Sequence, residues 1–298
     1  MFYKAIYLFI LFSNTVSSFS QNGERLFTII DSETRMPVPY ANIALIGKQE
    51  GTFSDQNGVF RLPCSVSDSI HISSIGYSSK NINCISTSDV IVLTPATTIL
   101  NEVVVQLPEK ERKTKKLGYF DKKGDGSYVG PVAAGLFIPN NHPGEEQILS
   151  SVQFTVSKVK WVYEKPKPQL YRLLVRLRIY MGDPSFGTDH ELLDEDVLQE
   201  VEPNQKKIKF NVRQKGIQLP QSGVFIVIEF IGYFKGSVFT AFSSSDLDKP
   251  IQYQPSFSEK HQLSTSWIRL DYNSNWKKFE FAPGSQPNFN FGIEIYEK

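Results

Sequence analysis

The chain has 298 residues and a formal net charge of +1, so it is long enough for two domains that each bury their own core. Hydrophobic residues make up 40% and charged residues 21%, an ordinary balance that excludes wholesale disorder. A charge so near zero supplies no overall field for nucleic acid, and we predict no nucleic-acid partner. The 22 Phe and 13 Tyr against 3 Met favour strands over helices.

The first twenty residues have the pattern of an export signal. Lys4 precedes the apolar run 5–12, and Ser18 and Ser20 place small residues at the two positions that a signal peptidase reads. We predict a signal peptide over residues 1–20, the alternative being a buried N-terminal strand or helix. The apolar run is too short for a permanent transmembrane helix. The expected location is therefore the periplasm, the outer-membrane surface or the extracellular medium.

Residues 25–105 have the pattern of short strands separated by turns. Asn57-Gly58 is a hairpin signal, because Asn-Gly tolerates the positive φ of a primed turn. The spacing of the strand-like runs is that of a compact β-sandwich. The runs lie at 26–30, 40–46, 60–62, 69–73 and 90–93.

Motifs spread over this stretch resemble the carboxypeptidase-regulatory-like domain. They are Asp31, Pro37, Pro39, Ala41-Asn42-Ile43, Gly51-Thr52, Asp55-x-Asn57-Gly58-x-Phe60, Ile75-Gly76-Tyr77 and Leu100-Asn101-Glu102-Val103-Val104-Val105. The resemblance implies a seven-stranded, transthyretin-like β-sandwich over residues 21–105. It also implies a non-catalytic module, from a family common in exported and outer-membrane proteins of Gram-negative bacteria.

Cys64 and Cys84 are the only two cysteines, and both fall in this module. In an oxidising compartment they could form a disulfide that closes a loop of about 20 residues and contributes ~3 kcal/mol. The alternative is two buried thiols that act as small hydrophobes. Both stay open, because the sequence does not show whether the Cβ atoms approach. No pair of histidines lies near them, so zinc spacing is lacking.

A charged stretch follows the first module. Residues 108–116 carry seven charged side chains and no apolar period, so we predict a solvated linker over residues 106–117. Residues 118–298 then alternate as strands do, and the apolar run 225–231 predicts a strand that is buried on both faces or central to a sheet. We expect an antiparallel β-sandwich or jelly roll here.

Two further features of the second half lead to specific expectations. Leu193, Val197 and Val201 recur every four residues, which predicts a short helix over 191–201. The pattern of strands around Arg176-x-Arg178 and Leu219-Pro220 resembles the uncharacterised jelly-roll-like region that follows the regulatory-like domain in many exported proteins. That resemblance implies a paired architecture and no known activity.

The segment His142-Pro143-Gly144-Glu145 matches the H-x-x-E pattern of zinc carboxypeptidases, with His261 far downstream. A catalytic zinc needs three ligands, an open position and a separate general base, and Pro143-Gly144 instead indicates a turn. We therefore predict no catalytic, cofactor-binding or metal-binding residues and no cofactor. A zinc-dependent peptidase that uses His142, Glu145 and His261 is the third hypothesis.

Two other groups of side chains could bind a ligand. The acidic residues between 183 and 196 could chelate calcium, but they lack the spacing of a calcium loop, and a solvated face is favoured. Trp267 and Trp276 could stack on a sugar ring, the alternative being core packing. The leading hypothesis is a non-enzymatic, exported accessory or surface interaction protein, whose partner is an unknown protein or glycan of the cell envelope. The alternative is a carbohydrate-binding module protein.

Overall fold

A computed structural model describes residues 24–85, 88–96, 114–121, 126–127, 132–158, 171–188, 190–243, 253–258, 264–272 and 275–297. Within these ranges the protein is all-β, and its helical content consists of the two short 3-10 segments Pro184–Phe186 and Arg213–Lys215. The predicted fold class is confirmed. None of the described helical segments has the length and apolar character needed to cross a membrane. The predicted signal peptide, residues 1–20, lies outside the described residues.

The first domain consists of seven strands in two sheets, as the family resemblance implies. The strands are β1 Glu24–Asp31, β2 Asn42–Leu45, β3 Gly51–Phe53, β4 Val59–Pro63, β5 Ser69–Ser73, β6 Lys80–Asn83 and β7 Val90–Leu93. One sheet has the order β4-β1-β7 and the other β3-β2-β5-β6. The β1–β7 pair is parallel, and the other pairs are antiparallel.

The core of this domain follows from strand alternation. In β1 the side chains of Phe27 and Ile29 are fully buried while Leu26 is 47% exposed, because successive side chains point to opposite faces of a sheet. Ile70 and Ile72 of β5 come from the second sheet into the same core. The two sheets therefore pack face to face as a sandwich.

The Asn57-Gly58 turn forms as predicted, but it does not close a hairpin. Gly58 has φ +71°, and the Asp55 carboxylate accepts hydrogen bonds from the backbone N–H groups of Asn57 and Val59, each at 2.8 Å. The strands on either side, β3 and β4, belong to different sheets. The hairpin prediction was wrong because the local turn signal does not specify which strands pair.

The second domain is built from two larger sheets. Its strands are β8 Thr114–Gly118, β9 Gly126–Ser127, β10 Ala133–Ile138, β11 Gln147–Lys158, β12 Arg172–Met181, β13 Val197–Val201, β14 Lys207–Asn211, β15 Val224–Lys235, β16 Val238–Ala241, β17 Tyr253–Ser258, β18 Thr265–Arg269, β19 Lys277–Lys278, β20 Asn288–Phe289 and β21 Phe291–Glu297. The front sheet has the order β13-β12-β15-β10-β18-β19, with β16 on β15. The back sheet has the order β20-β17-β11-β21-β8, with β14 on β11 and β9 on β17.

Strand β15 lies centrally in the front sheet between β12 and β10. Ile226 and Ile228 pack in the core between the two sheets. Phe225 and Val227, on the opposite face, pack in a separate outer cluster with Trp267. The prediction that run 225–231 is buried on both faces is therefore confirmed.

The predicted helix over residues 191–201 is wrong. Val197–Val201 forms β13, which pairs with β12. The four-residue spacing of Leu193, Val197 and Val201 is also twice the two-residue period of a strand, so the same pattern fits both structures. Pairing with β12 decides between them.

The end of the predicted linker is also a strand. Thr114–Gly118 forms β8 and pairs with β21, while residues 106–113 lie outside the described residues. Lys116 and Lys115 suit this position, because charged side chains protect an edge strand from pairing with other chains. The charge that favours a linker in the sequence therefore marks the edge of a sheet.

Candidate functional site

The two cysteines connect the two sheets of the first domain. Cys64 follows β4 and Cys84 follows β6, and the structure joins them in a disulfide with Cα atoms 5.8 Å apart. Both residues are buried in the sandwich core. The sequence leaves open whether these cysteines are bonded or are two separate buried thiols, and in the structure they form a disulfide.

His142 and Glu145 lie in an exposed turn. The Glu145 N–H donates to the His142 carbonyl at 3.1 Å, and the imidazole Nδ1 lies 3.9 Å from the carboxylate, with both side chains about half exposed. His261 lies outside the described residues. In the described part of the chain, no group of three or more His, Cys, Asp or Glu side chains is arranged to hold a metal ion.

Acidic side chains that the calcium hypothesis requires are instead paired with cations. Glu191 accepts a hydrogen bond from Arg178 at 3.0 Å, and Asp194 lies 3.2 Å from Lys215. Asp196 accepts from a second arginine of β12 at 3.3 Å. The predicted solvated face is thus in part a set of ion pairs.

The two tryptophans take part in packing. Trp267 is 5% exposed and belongs to the outer cluster with Phe225, and the ring of half-buried Trp276 stands edge-on to Phe225 at 4.8 Å. The Lys278 ammonium lies 5.6 Å from the Trp267 ring centroid. The core alternative holds for Trp267, whose ring offers no open face for a sugar.

Strand register brings a buried arginine cluster together on the outer face of the front sheet. Arg176 of β12 lies opposite Glu229 of β15, and Glu229 and Arg269 both lie opposite Ala133 of β10. Arg178 is two residues along β12 from Arg176 and therefore shares its face. This buried arginine cluster is defined as Arg176, Arg178, Arg269, Glu229, Glu191 and Asp196.

Glu229 is the centre of the buried arginine cluster. Its carboxylate accepts hydrogen bonds from Arg176 Nε at 2.8 Å, Arg178 Nε at 3.1 Å and Arg269 Nη2 at 2.7 Å. Burial alone would raise the pKa of Glu229, but these three guanidinium groups outweigh it and hold the pKa well below its usual range. Burial raises the pKa of Glu191 to about 7 against the opposing effect of Arg178.

Strand alternation in the sequence does not predict this cluster. In an alternating strand, Arg176 and Arg178 look like solvent-facing positions. The available signal was Glu229 itself, a charged residue within the apolar run 225–231, because a buried carboxylate requires a cationic partner.

The first domain covers one side of the buried arginine cluster. Arg176 Nη1 donates to the carbonyl of Tyr40 at 2.8 Å, and its guanidinium lies 5.5 Å from the Phe53 ring. Tyr40 has φ +53°, a left-handed conformation that bulky residues rarely adopt. The backbone at Tyr40 is thus held in a strained conformation that presents its carbonyl to the second domain.

Aromatic packing completes the contact between the domains. Phe53 and Tyr272 are both buried, with ring centroids 5.5 Å apart, and the Tyr40 ring lies edge-on to Phe239 at 5.7 Å. The Thr52 hydroxyl donates to the Phe242 carbonyl at 3.1 Å. Buried apolar and hydrogen-bonded contacts therefore join the two domains.

A polar cleft of about 470 Å³ opens at the start of β18, the end of this strand away from Arg269 and the buried arginine cluster. Here β18 and β19 approach β20 of the back sheet. This polar cleft is lined by residues 264–266, 278–279 and 284–288. Its polar groups are hydroxyls, amides and the Lys278 ammonium. Its volume falls within the range of about 300–1,000 Å³ that is usual for small-ligand sites.

The fold and the interface define a two-domain, all-β protein, and comparison with known families identifies its first domain. The family model of the CarboxypepD_reg-like domain matches residues 28–105. The N-terminal domain is therefore a CarboxypepD_reg-like domain, and a further β domain follows it. No curated protein and no solved structure shows significant similarity to the chain.

Proposed function

We propose that this chain is an exported, non-enzymatic accessory or surface interaction protein of the cell envelope. The disulfide between Cys64 and Cys84 carries the export part of the proposal, because disulfides persist in oxidising compartments and are rare in the cytosol. Both cysteines are buried, as suits a structural bond rather than a reactive thiol. The signal-like residues 1–20 support the same compartment.

The non-enzymatic part of the proposal rests on how the ionisable groups are used. In the buried arginine cluster, three guanidinium groups face three carboxylates. A catalytic acid or base must come within hydrogen-bond reach of its substrate, and Glu229 is only 3% exposed. The cluster therefore suits a role in holding the domains together rather than a role in catalysis.

Export can be tested by fractionation of cells that produce the chain with and without residues 2–20. We expect the full-length chain in the envelope or the medium with both thiols blocked, because the disulfide is formed. The shortened chain should stay in the cytoplasm, where Cys64 and Cys84 react with a thiol-alkylating reagent after unfolding. Cytoplasmic full-length protein with two free thiols would refute export.

The absence of catalysis can be tested on the exported full-length protein. It is incubated with peptide, ester and glycoside substrates, with added Zn²⁺ and after chelation by EDTA. We expect no metal-dependent turnover, since His142 and Glu145 lie in an exposed turn. Turnover that His142→Ala abolishes and that the exposed-residue control His190→Ala retains would establish the zinc-peptidase hypothesis instead.

Carbohydrate binding is a second candidate function, and the polar cleft is the observation that favours it. Its lining of hydroxyl and amide side chains matches a ligand that carries many hydroxyl groups. The proposal does not rely on Trp267, which is buried. Binding of the exported full-length protein to immobilised glycans is the direct test.

A further inference from the structure

We infer that the polar cleft is a saccharide-binding site, an inference that rests on the second candidate function above. Three of its lining residues, Ser264, Thr265 and Gln286, have side-chain polar groups with no protein partner in the part of the chain that the structure describes. Two hydroxyls and one carboxamide supply both donors and acceptors. They are therefore available to a ligand that needs both.

The two apolar residues of the lining support the polar cleft from beneath. Phe279 is 1% exposed, and its ring stacks on Phe289 with centroids 4.6 Å apart, while Pro287 is also buried. Because neither side chain presents an open face, a ligand in the cleft would contact mainly the uncommitted hydroxyl and amide groups. A sugar carries hydroxyls around the rim of its ring, and these match such a lining.

The few charged groups in the polar cleft indicate which class of polar ligand it can bind. Lys278 is its sole ionisable residue among the described lining side chains. With no carboxylate, the cleft lacks the anionic oxygen ligands by which proteins usually hold a metal cation. With a single cation, it also lacks the arginine or lysine cluster that recognises phosphate-rich ligands. A neutral saccharide, or one with a single uronic acid near Lys278, fits this lining.

The cleft is held in shape before any ligand binds. The Ser266 hydroxyl donates to Asn288 Oδ1 at 3.0 Å and accepts from the Phe289 N–H at 2.8 Å, which ties β18 to β20. The loop that follows Phe279 is closed by a hydrogen bond from the Ser285 N–H to the Ala282 carbonyl at 2.9 Å. A site that is already ordered loses less conformational entropy on binding.

The same loop has the sequence of a tight turn. Pro283 is followed by Gly284 with φ +81°, the pairing that a type II turn requires at its two central positions. Gly284 and Ser285 both line the cleft. This part of the cleft wall is therefore shaped by a local turn.

The inference is tested with the full-length exported protein on an array of neutral and uronic-acid oligosaccharides, followed by calorimetric titration with the strongest ligand. Ser264→Ala and Gln286→Ala remove uncommitted groups of the cleft without removing a hydrogen bond within the protein. Gln221→Ala, an exposed glutamine on the turn before β15, is the matched control. Unchanged thermal unfolding midpoints establish that all variants remain folded.

We expect each cleft variant to bind about tenfold more weakly, the effect of one lost hydrogen bond, and the control to bind as the wild type does. Binding that survives Ser264→Ala and Gln286→Ala, but is lost in Trp276→Ala, would overturn the cleft assignment while leaving carbohydrate binding intact. An array with no bound glycan would overturn both the inference and the second candidate function. The proposed accessory or surface interaction role does not depend on this result.

Discussion

Glu229 accepts hydrogen bonds from three arginines while it is buried in the front sheet. Moving an ion from water into a protein interior costs several kcal/mol unless the opposite charge and hydrogen bonds compensate it. Here each carboxylate oxygen has at least one guanidinium partner. The carboxylate and the arginines are therefore energetically dependent on one another.

We predict that Glu229→Gln lowers the free energy of unfolding by about 3–5 kcal/mol, because it leaves Arg176, Arg178 and Arg269 without their shared counter-ion. Urea unfolding measures the change. Glu145→Gln is the control, since Glu145 is half exposed beside His142, and its effect should stay within about 1 kcal/mol. Equal effects of the two substitutions would show that the buried arginine cluster contributes no stability.

Glu191 gives the cluster a dependence on pH. Its pKa of about 7 in the folded chain lies above the ordinary value of 4.5. Between these values the folded chain binds a proton that the unfolded chain has released, so this group makes stability fall as pH rises from about 4.5 to 7. Glu229, with a lowered pKa, acts in the opposite sense and only in more acidic solution, where stability is lost as pH falls.

We predict that Glu191→Gln becomes progressively more stable relative to the wild type between pH 4.5 and 7.5, by at most about 3 kcal/mol. The physical reason is that glutamine has no charge to bury as the pH rises. Urea unfolding of both proteins at half-unit pH intervals gives the difference. Well below pH 4.5 both side chains are neutral and the difference should be constant, and a flat difference over the whole range would refute the prediction.

At the scale of elements, β10 depends on a glycine for the packing of the outer face of the front sheet. Gly135 lies between β15 and β18, opposite Val227 and Trp267. A Cβ placed there would lie 2.5 Å from the Phe225 ring and 2.8 Å from a Val227 methyl. The missing side chain makes room for the Phe225 ring, against which Trp276 packs.

We predict that Gly135→Ala destabilises the protein by about 1–3 kcal/mol, because it overpacks this outer cluster. Gly144→Ala is the matched control, since nothing lies within 4 Å of the position its Cβ would take. It should change stability by no more than about 0.5 kcal/mol. Chemical denaturation followed by tryptophan fluorescence measures the stability, and both Trp267 and Trp276 lie in or against this outer cluster. A neutral Gly135→Ala would mean that the sheet relaxes around the methyl group.

At the scale of the whole molecule, the CarboxypepD_reg-like domain shares a buried contact with the second domain. Phe53 is 1% exposed and packs on Tyr272, and Arg176 spans the boundary through the Tyr40 carbonyl. Because a residue of one domain helps to cover the charges of the other, the two should unfold together. The first domain therefore packs against the outer face of the front sheet and should not move independently of the second domain.

We predict that the wild type unfolds in one calorimetric transition and that Phe53→Ala separates it into two, with a total loss of about 3–5 kcal/mol. Phe60→Ala is the control, because Phe60 belongs to the sandwich core rather than to the cluster between the domains among the described residues. It should destabilise the chain by a similar amount without uncoupling the domains in the same way. Identical single transitions for both variants would show that Phe53 does not couple the domains.

The sequence alone determined the strand content, the order of the turns and the family of the first domain, because these depend on local alternation and on motifs within about 80 residues. It did not determine which strands pair, so Asn57-Gly58 was predicted as a hairpin and residues 191–201 as a helix. The buried arginine cluster and the polar cleft were decided only by tertiary structure. Both require residues far apart in the chain, such as Arg176 with Glu229 and Ser266 with Asn288, and only strand register brings such residues into contact.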